Sequence, residues 1–446
     1  MKAVKLIVLL FLLIPLVLKA QCFSKISCSG IIVYAIKQDN TLWYWGGGTG
    51  NNGPNIPTQI GTETNWINIA NSNGHRLAIK NNGTLWAKGG NTFGQLGTGS
   101  TILQPEFIQV GMETNWQEIS CGTNHSIAIK SDGTLWAWGR NDYGQIGDGT
   151  VVNKNSPIQI GTETNWIKIY TSLFSSFAIK SDGTLWSWGL NDYGQLGINS
   201  NSNSLIPLQV GIDSNWVKIS TGFFYHTLGL KSDGSIWSFG LNNFGQLGDG
   251  TTINKSTPSQ IGNDLNWIEI SGGGSFSFGI KNNGTLWAWG KNDSGQLGDG
   301  TYLQRLTPSL ANTDNDWQTV NSGRDFTNAQ KVNGSLYSWG YNFSGQLGIG
   351  SYISQNIPTL TNSCTLANDQ FNFNKLTIYP NPTKSTINIT STTAIQKTII
   401  YNLLGAKVYE QAFSESIDIS SLSSGVYVVK FYGEDNVVFV EKIVKE

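Results

Sequence analysis

Bulky aromatic residues recur along this chain at a fixed interval. Trp66, Trp116, Trp166, Trp216, Trp267 and Trp317 return every 50 or 51 residues. A second series, Trp43, Trp86, Trp136, Trp186, Trp237, Trp287 and Tyr337, keeps the same interval after a shorter first step. Phe23, in Cys-Phe-Ser-Lys-Ile-Ser, aligns with Trp166 in Asn-Trp-Ile-Lys-Ile-Tyr, so the chain holds seven units. Inside the unit that begins at Trp116, apolar and polar positions alternate with period two. That is the pattern of strands whose side chains point to opposite faces. It predicts strands over 116–120, 126–130 and 134–139, the third with Trp136 and Trp138 on one face, and a fourth over 157–161.

The turn between the second and third strands is Asn82-Gly83, Asp132-Gly133, Asp182-Gly183, Asp233-Gly234, Asn283-Gly284 and Asn333-Gly334. Such pairs suit the two positive φ angles of a type I′ hairpin. The first unit has Asp39-Asn40 instead, and Asn tolerates that conformation. Four short strands per unit, with paired aromatics, predict propeller blades, each burying its faces against its neighbours. The expected fold class is all-β: a seven-bladed β-propeller over 21–364, followed by a small immunoglobulin-like β-sandwich. Closing the ring limits exposed sheet edges. The segment 357–361 matches the fourth strand of other units and is expected to pair within the first blade, closing the ring.

The repeats resemble the regulator of chromosome condensation (RCC1) family. The likeness rests on Gly189-Leu190-Asn191-Asp192-Tyr193-Gly194-Gln195-Leu196-Gly197, which returns with variation from Gly90, Gly139, Gly240, Gly290 and Gly340. It rests equally on Lys180-Ser181-Asp182-Gly183-Thr184-Leu185-Trp186. The first unit departs from it, having lost Gly-Gln-Leu-Gly between Gly46 and Pro57.

Past a polar linker over 365–375 the interval is abandoned. Short alternating strands are predicted at 387–389, 398–401, 407–409, 426–432 and 437–443, as in a small sandwich. Residues 376–446 resemble the type A C-terminal sorting domain of cargo exported by the type IX secretion system. The matching residues are Tyr379-Pro380-Asn381-Pro382-Thr383, Asn402-Leu403-Leu404-Gly405, Leu422 with Gly425-Val426-Tyr427, and Lys442-Ile443-Val444-Lys445. The resemblance implies the type IX machinery as a partner, passage across the outer membrane, and then surface attachment or release. An ordinary immunoglobulin-like binding module is the plainer alternative.

The N-terminus fits export. Lys2 and Lys5 precede an apolar run, Leu6 to Leu18, with Ala20 placed for cleavage, so 1–20 is expected to be a signal peptide. The run is too short to span a bilayer comfortably, and no later segment is a transmembrane candidate. Gln21 stands where a lipobox before Cys22 needs Gly or Ala, which disfavours lipidation. Charged residues are 13% of the chain, but 17 Trp, 19 Phe and 15 Tyr supply a core, so the chain reads as folded. Net charge is −1 and no Lys/Arg cluster exists, which excludes nucleic acid as an expected partner. Of four cysteines, Cys22 and Cys364 flank the repeats. A bridge between them would clasp the ring, and buried thiols are the alternative.

Chemistry is harder to find. His75, His125 and His226 share one repeat position, held elsewhere by Ile32, Ser175, Phe276 and Phe326. No Cys or carboxylate recurs beside them in ligand spacing, so a structural hydrogen-bonding role is expected, with no metal or cofactor. Most Asp residues fall in turns, and no carboxylate pair stands out as glycosidase chemistry requires. The expectation is therefore a monomeric, non-catalytic secreted binding protein for a protein or glycan ligand. The alternative is an extracellular polysaccharide or peptide hydrolase or lyase working in the channel. Guanine-nucleotide exchange, which the RCC1 resemblance would imply, is rejected because an exported chain does not meet a cytosolic GTPase. Variable loops before the second strands carry the candidate ligand residues Phe174, Phe223, Phe224, Tyr225, Phe276, Arg324 and Phe326, residue types that dominate interface hot spots. Each also has a plainer reading as blade filling.

Overall fold

The computed structural model describes residues 22–48, 52–364, 376–391, 395–402, 405–433 and 438–446. The expected signal peptide, the linker 365–375 and Leu403-Leu404 lie outside the described residues. The chain forms two compact units, up to Leu366 and Ala367–Glu446.

Seven four-stranded antiparallel sheets make up the first unit. In the third blade the strands are Trp116–Cys121, His125–Lys130, Leu135–Gly139 and Lys154–Gln159, paired in chain order. The first strands of all seven blades surround a central channel, and the first strand of blade one adjoins that of blade seven. Each blade is filled by its two aromatic series: Trp116 meets Trp136 edge-on at 5.9 Å between ring centres, and Trp216 meets Trp237 at 6.3 Å. Such pairs add specific geometry to a large buried apolar surface. The last tryptophan of the third strand, Trp138 or Trp188, is wholly buried and packs on the motif loop of the preceding blade.

The hairpin between the second and third strands is not type I′. Asp132 keeps a negative φ and only Gly133 is left-handed, at φ +76°. Gly133 N donates to Lys130 O at 2.9 Å and Lys130 N to Thr134 O at 3.1 Å. This is a type I turn closed by a left-handed glycine bulge, the three-residue hairpin loop. The acidic residue is there for its side chain: Asp132 Oδ1 accepts from Thr134 N and Thr134 Oγ1 at 3.0 and 2.6 Å. In blade one, Asn40 takes the left-handed place at φ +63°.

Ring closure also differs from expectation. Gln355–Asn362 pairs with Leu336–Gly340 in its own blade, and blade one supplies its own fourth strand, Thr58–Ile60. Among the described residues no strand is exchanged between the ends. Closure repeats the ordinary blade interface instead. Trp45 Nε1 donates to Gln346 O at 3.1 Å, as Trp138 Nε1 donates to Gln95 O at 2.9 Å. Gln330 Nε2 adds a bond to Phe23 O at 2.9 Å. A disulfide joins Cys22 to Cys364 across the junction, with Cα atoms 4.9 Å apart. The Cys22 sulfur is thereby committed to a protein crosslink.

The second unit is a two-sheet sandwich. Leu376–Tyr379, Thr386–Ser391 and Ser416–Asp418 form one sheet; Lys407–Ala412, Ile395–Asn402, Gly425–Gly433 and Val438–Lys445 form the other. Ile387, Ile400, Ile417, Val429, Phe431 and Ile443 fill the space between them. The motif around Tyr379 clips the terminal strand. Asn381 Nδ2 donates to Lys442 O at 2.7 Å, Val444 N donates to Asn381 Oδ1 at 2.9 Å, and Thr383 N donates to Val444 O at 2.9 Å. Tyr427, nearly buried, donates its hydroxyl to Ser423 O at 2.7 Å, pinning the turn before Gly425.

Candidate functional site

Each motif loop is a folded staple. Asn141, fully buried, accepts from Ile146 N at 2.9 Å and donates to Asp148 Oδ1 and Thr150 O at 3.0 and 2.9 Å. Gln145 Oε1 accepts from Tyr143 N at 2.9 Å. The loop then turns its Gln145 carbonyl to the next blade, where Trp188 Nε1 and Ser176 Oγ donate to it at 3.0 and 2.8 Å. The glycine-rich motif is thus an interface clamp.

The histidines belong to the same interface. His75, His125 and His226 place Nε2 at 2.8, 3.0 and 3.1 Å from Ser126, Ser176 and Ser277 of the following blade. Each serine spends its own hydrogen on a glutamine carbonyl, so the histidine must donate from Nε2. Burial pushes all three imidazoles down to about 3, leaving them neutral. Among the described residues no group of three His, Cys, Asp or Glu could hold a metal.

Phe276 and Phe326 occupy the same repeat position and are completely buried in the blade cores. They leave the candidate ligand surface. Their loops do not hold them; the second strand does, and its side chains face inward.

The other candidates stand on the loop face, where first strands end and third strands run into motif loops. Phe174 packs on Tyr143 at 5.4 Å, and the Arg140 guanidinium lies 4.9 Å from the Phe93 ring and 5.3 Å from the Phe174 ring. Asp142 fixes that guanidinium at 2.6 Å. One blade further, Tyr193 stacks on Tyr225 at 5.4 Å, and Phe223 meets Phe224 at 5.1 Å. These rings are partly exposed, Tyr193 by 38%. Arg324 is half-buried and pairs with Asp325 at 2.7 Å; its carbonyl accepts from Gly274 N at 2.9 Å, and the Gly274 carbonyl accepts from Phe224 N at 3.1 Å. The loop of Phe223–Tyr225 has one residue more than its counterparts, and Tyr225 sits at φ +60°, a conformation costly for an aromatic residue. The sequence carried a signal for this loop in the step of 51 from Trp216 to Trp267. Phe93, Arg140, Tyr143 and Tyr193 were missed, because they sit inside a motif that turn geometry explains.

The channel between the first strands encloses about 310 Å³ and is lined mainly by Ser, Thr, Asn and Gly. Its cation Lys218 is ion-paired with Glu269 of the next blade. Burial pushes the thiols of Cys28 and Cys121 upward, Cys28 to about 12, so neither is a thiolate nucleophile at neutral pH.

Against known proteins, the model of the regulator of chromosome condensation (RCC1) repeat matches residues 82–129, 132–179, 182–229, 233–280, 283–330 and 333–366. The chain belongs to the RCC1 repeat family. Its tail, residues 377–446, matches the secretion system C-terminal sorting domain, which directs export by type IX secretion to the outer surface or beyond. Two solved structures share the fold. Prp20p of Saccharomyces cerevisiae is 20% identical with a TM-score of 0.64, over 77% of this chain and 88% of that one. Human WBSCR16 is 20% identical with a TM-score of 0.61, over 70% and 84%. Among curated proteins, the ulvan lyase NLR42 of Nonlabens ulvanivorans is 38% identical over 88 residues, 18% of this chain and 16% of the lyase. This RCC1-repeat chain thus spans less than a fifth of that relative's length. No helix among the described residues is long and apolar enough to cross a membrane.

Proposed function

We propose that this RCC1-repeat protein is a non-catalytic binding protein that works outside the cell and holds a protein or glycan partner on its loop face. The observation that carries this reading is the Arg140 guanidinium held between the Phe93 and Phe174 rings, beside Tyr143. Rings and a fixed guanidinium on a rigid scaffold lose little entropy when a partner docks, and such residues concentrate binding energy. The strained Tyr225 and its extended loop add a second departure from the repeat on the same face. Histidines committed to blade interfaces and thiols kept protonated fit a site without a nucleophile.

The ulvan lyase similarity motivates one alternative, polymer cleavage in the channel. Incubating the mature protein with immobilised extracellular polysaccharides and surface extract separates the two. The binding reading expects saturable retention with no new chain ends or unsaturated products. Product that accumulates with time would overturn it.

A further inference from the structure

The channel mouth among these loops presents polar atoms with nothing to bond. Elsewhere on the wall the hydroxyls satisfy one another between blades: Ser120 with Thr171 at 2.8 Å, and Ser271 with Ser322 at 3.0 Å. Toward the loop ends of blades two to four, three atoms are left out of such pairing. Asn71 Oδ1, Thr123 Oγ1 and Ser172 Oγ have no partner, although Asn71 and Ser172 are only 6% and 8% exposed and line the cavity. The repeat shows how Ser172 came to be orphaned. In blade two the equivalent Ser72 hydroxyl lies 3.0 Å from His75 Nδ1. In blade four Ser175 replaces the histidine and donates to Leu190 O at 2.7 Å, away from Ser172. Buried polar atoms without partners mark places for water or ligand.

Leu173 and Phe223 add apolar wall at the same end. The cation Lys218 lies four residues before Gly222, about 13 Å along the strand, and is already paired. An ammonium or carboxylate entering the mouth would find no counter-charge to offset its desolvation. The whole channel, mouth included, encloses about 310 Å³, which is at the small end of ligand pockets. We propose that the mouth is a pocket for one neutral sugar ring of a glycan. Its hydroxyls would bond Asn71 Oδ1, Thr123 Oγ1 and Ser172 Oγ, and its apolar face would rest on Phe223. This rests on the binding reading and assigns its partner to the glycan class.

The test is titration of the mature full-length protein with methyl glycosides of glucose, galactose, mannose, xylose and rhamnose, followed by ligand-observed NMR. At least one is expected to bind. Ser172→Ala, and separately the isosteric Thr123→Val, should each weaken it about tenfold, the loss of one hydrogen bond. Ile167→Ser, on the opposite face, should not. Binding to none of the sugars, or binding indifferent to both substitutions, would overturn the pocket. If polymers are still retained by the loop face in that case, only the pocket falls. Sugar binding without retention of any polymer or protein would instead remove the surface reading and leave the pocket.

Discussion

Lys130 uses its charge and its stem together. Its ammonium lies 3.5 Å from the Trp136 ring centre and 4.7 Å from that of Trp116, while Glu113 caps it at 2.7 Å. The arrangement recurs at Lys80, Lys180, Lys231 and Lys281, so blades two to six each hold a lysine between two tryptophans. Lys130→Met keeps the stem and removes the charge; it should cost about 1–2 kcal/mol in urea unfolding, most of it from the ring contacts because the Glu113 end is half exposed. The histidines make a pH prediction. Their folded pKa, about 3, is below the ordinary 6.5, so between these values the unfolded chain binds more protons. Stability should therefore be fully present above pH 6.5 and decline as pH falls toward 3. His125→Phe, copying the residue that blades six and seven use at this position, should flatten that decline in denaturation midpoints measured across pH. Gly122 leaves the room, as Gly273 does over Phe276. A decline unchanged in the variant would contradict the assignment for this histidine.

At the scale of the blade, the hairpin shows why local sequence was legible in kind and wrong in detail. Asp-Gly marks a turn in either geometry, and only the hydrogen bond from Thr134 to Asp132 tells that the aspartate acts as a side-chain acceptor at negative φ. Gly133→Ala meets both a left-handed φ and Thr164 O at 2.0 Å from the new Cβ. It should destabilise by more than 1 kcal/mol, about the left-handed penalty alone. Asn40→Gly, at the equivalent place in blade one, should be neutral or stabilising by the same measurement. The blades themselves were legible because tryptophan spacing is long-range and self-consistent. The clamp between blades was not, since a glutamine carbonyl leaves no mark in a residue pattern. The burial of Phe276 and Phe326 was legible in principle: they share the repeat position of the histidines, which lies on the second strand. Fourth-strand similarity alone could not say which blade 357–361 would join, and the answer came from blade one already having Thr58–Ile60.

For the whole molecule, the ring has no exchanged strand to hold its ends, so the Cys22–Cys364 bond and one ordinary blade interface carry the junction. Replacing both cysteines by serine should lower unfolding stability by about 2–4 kcal/mol and leave the ligand face intact. Export is carried by the separate C-terminal unit, where the Asn381 clip holds the last strand. On the proposed reading the exported protein acts through its loop face. The most direct test is the affinity of the mature protein for whichever surface polymer or protein it retains, measured by calorimetry for wild type, for Phe223→Ala/Phe224→Ala/Tyr225→Ala, and for the opposite-face control Ile167→Ser/Ile268→Ser. A loss of at least about 30-fold, or 2 kcal/mol, is expected in the loop-face variant, with wild-type affinity in the control. Equal affinity in all three, or a loss confined to the control, would contradict it.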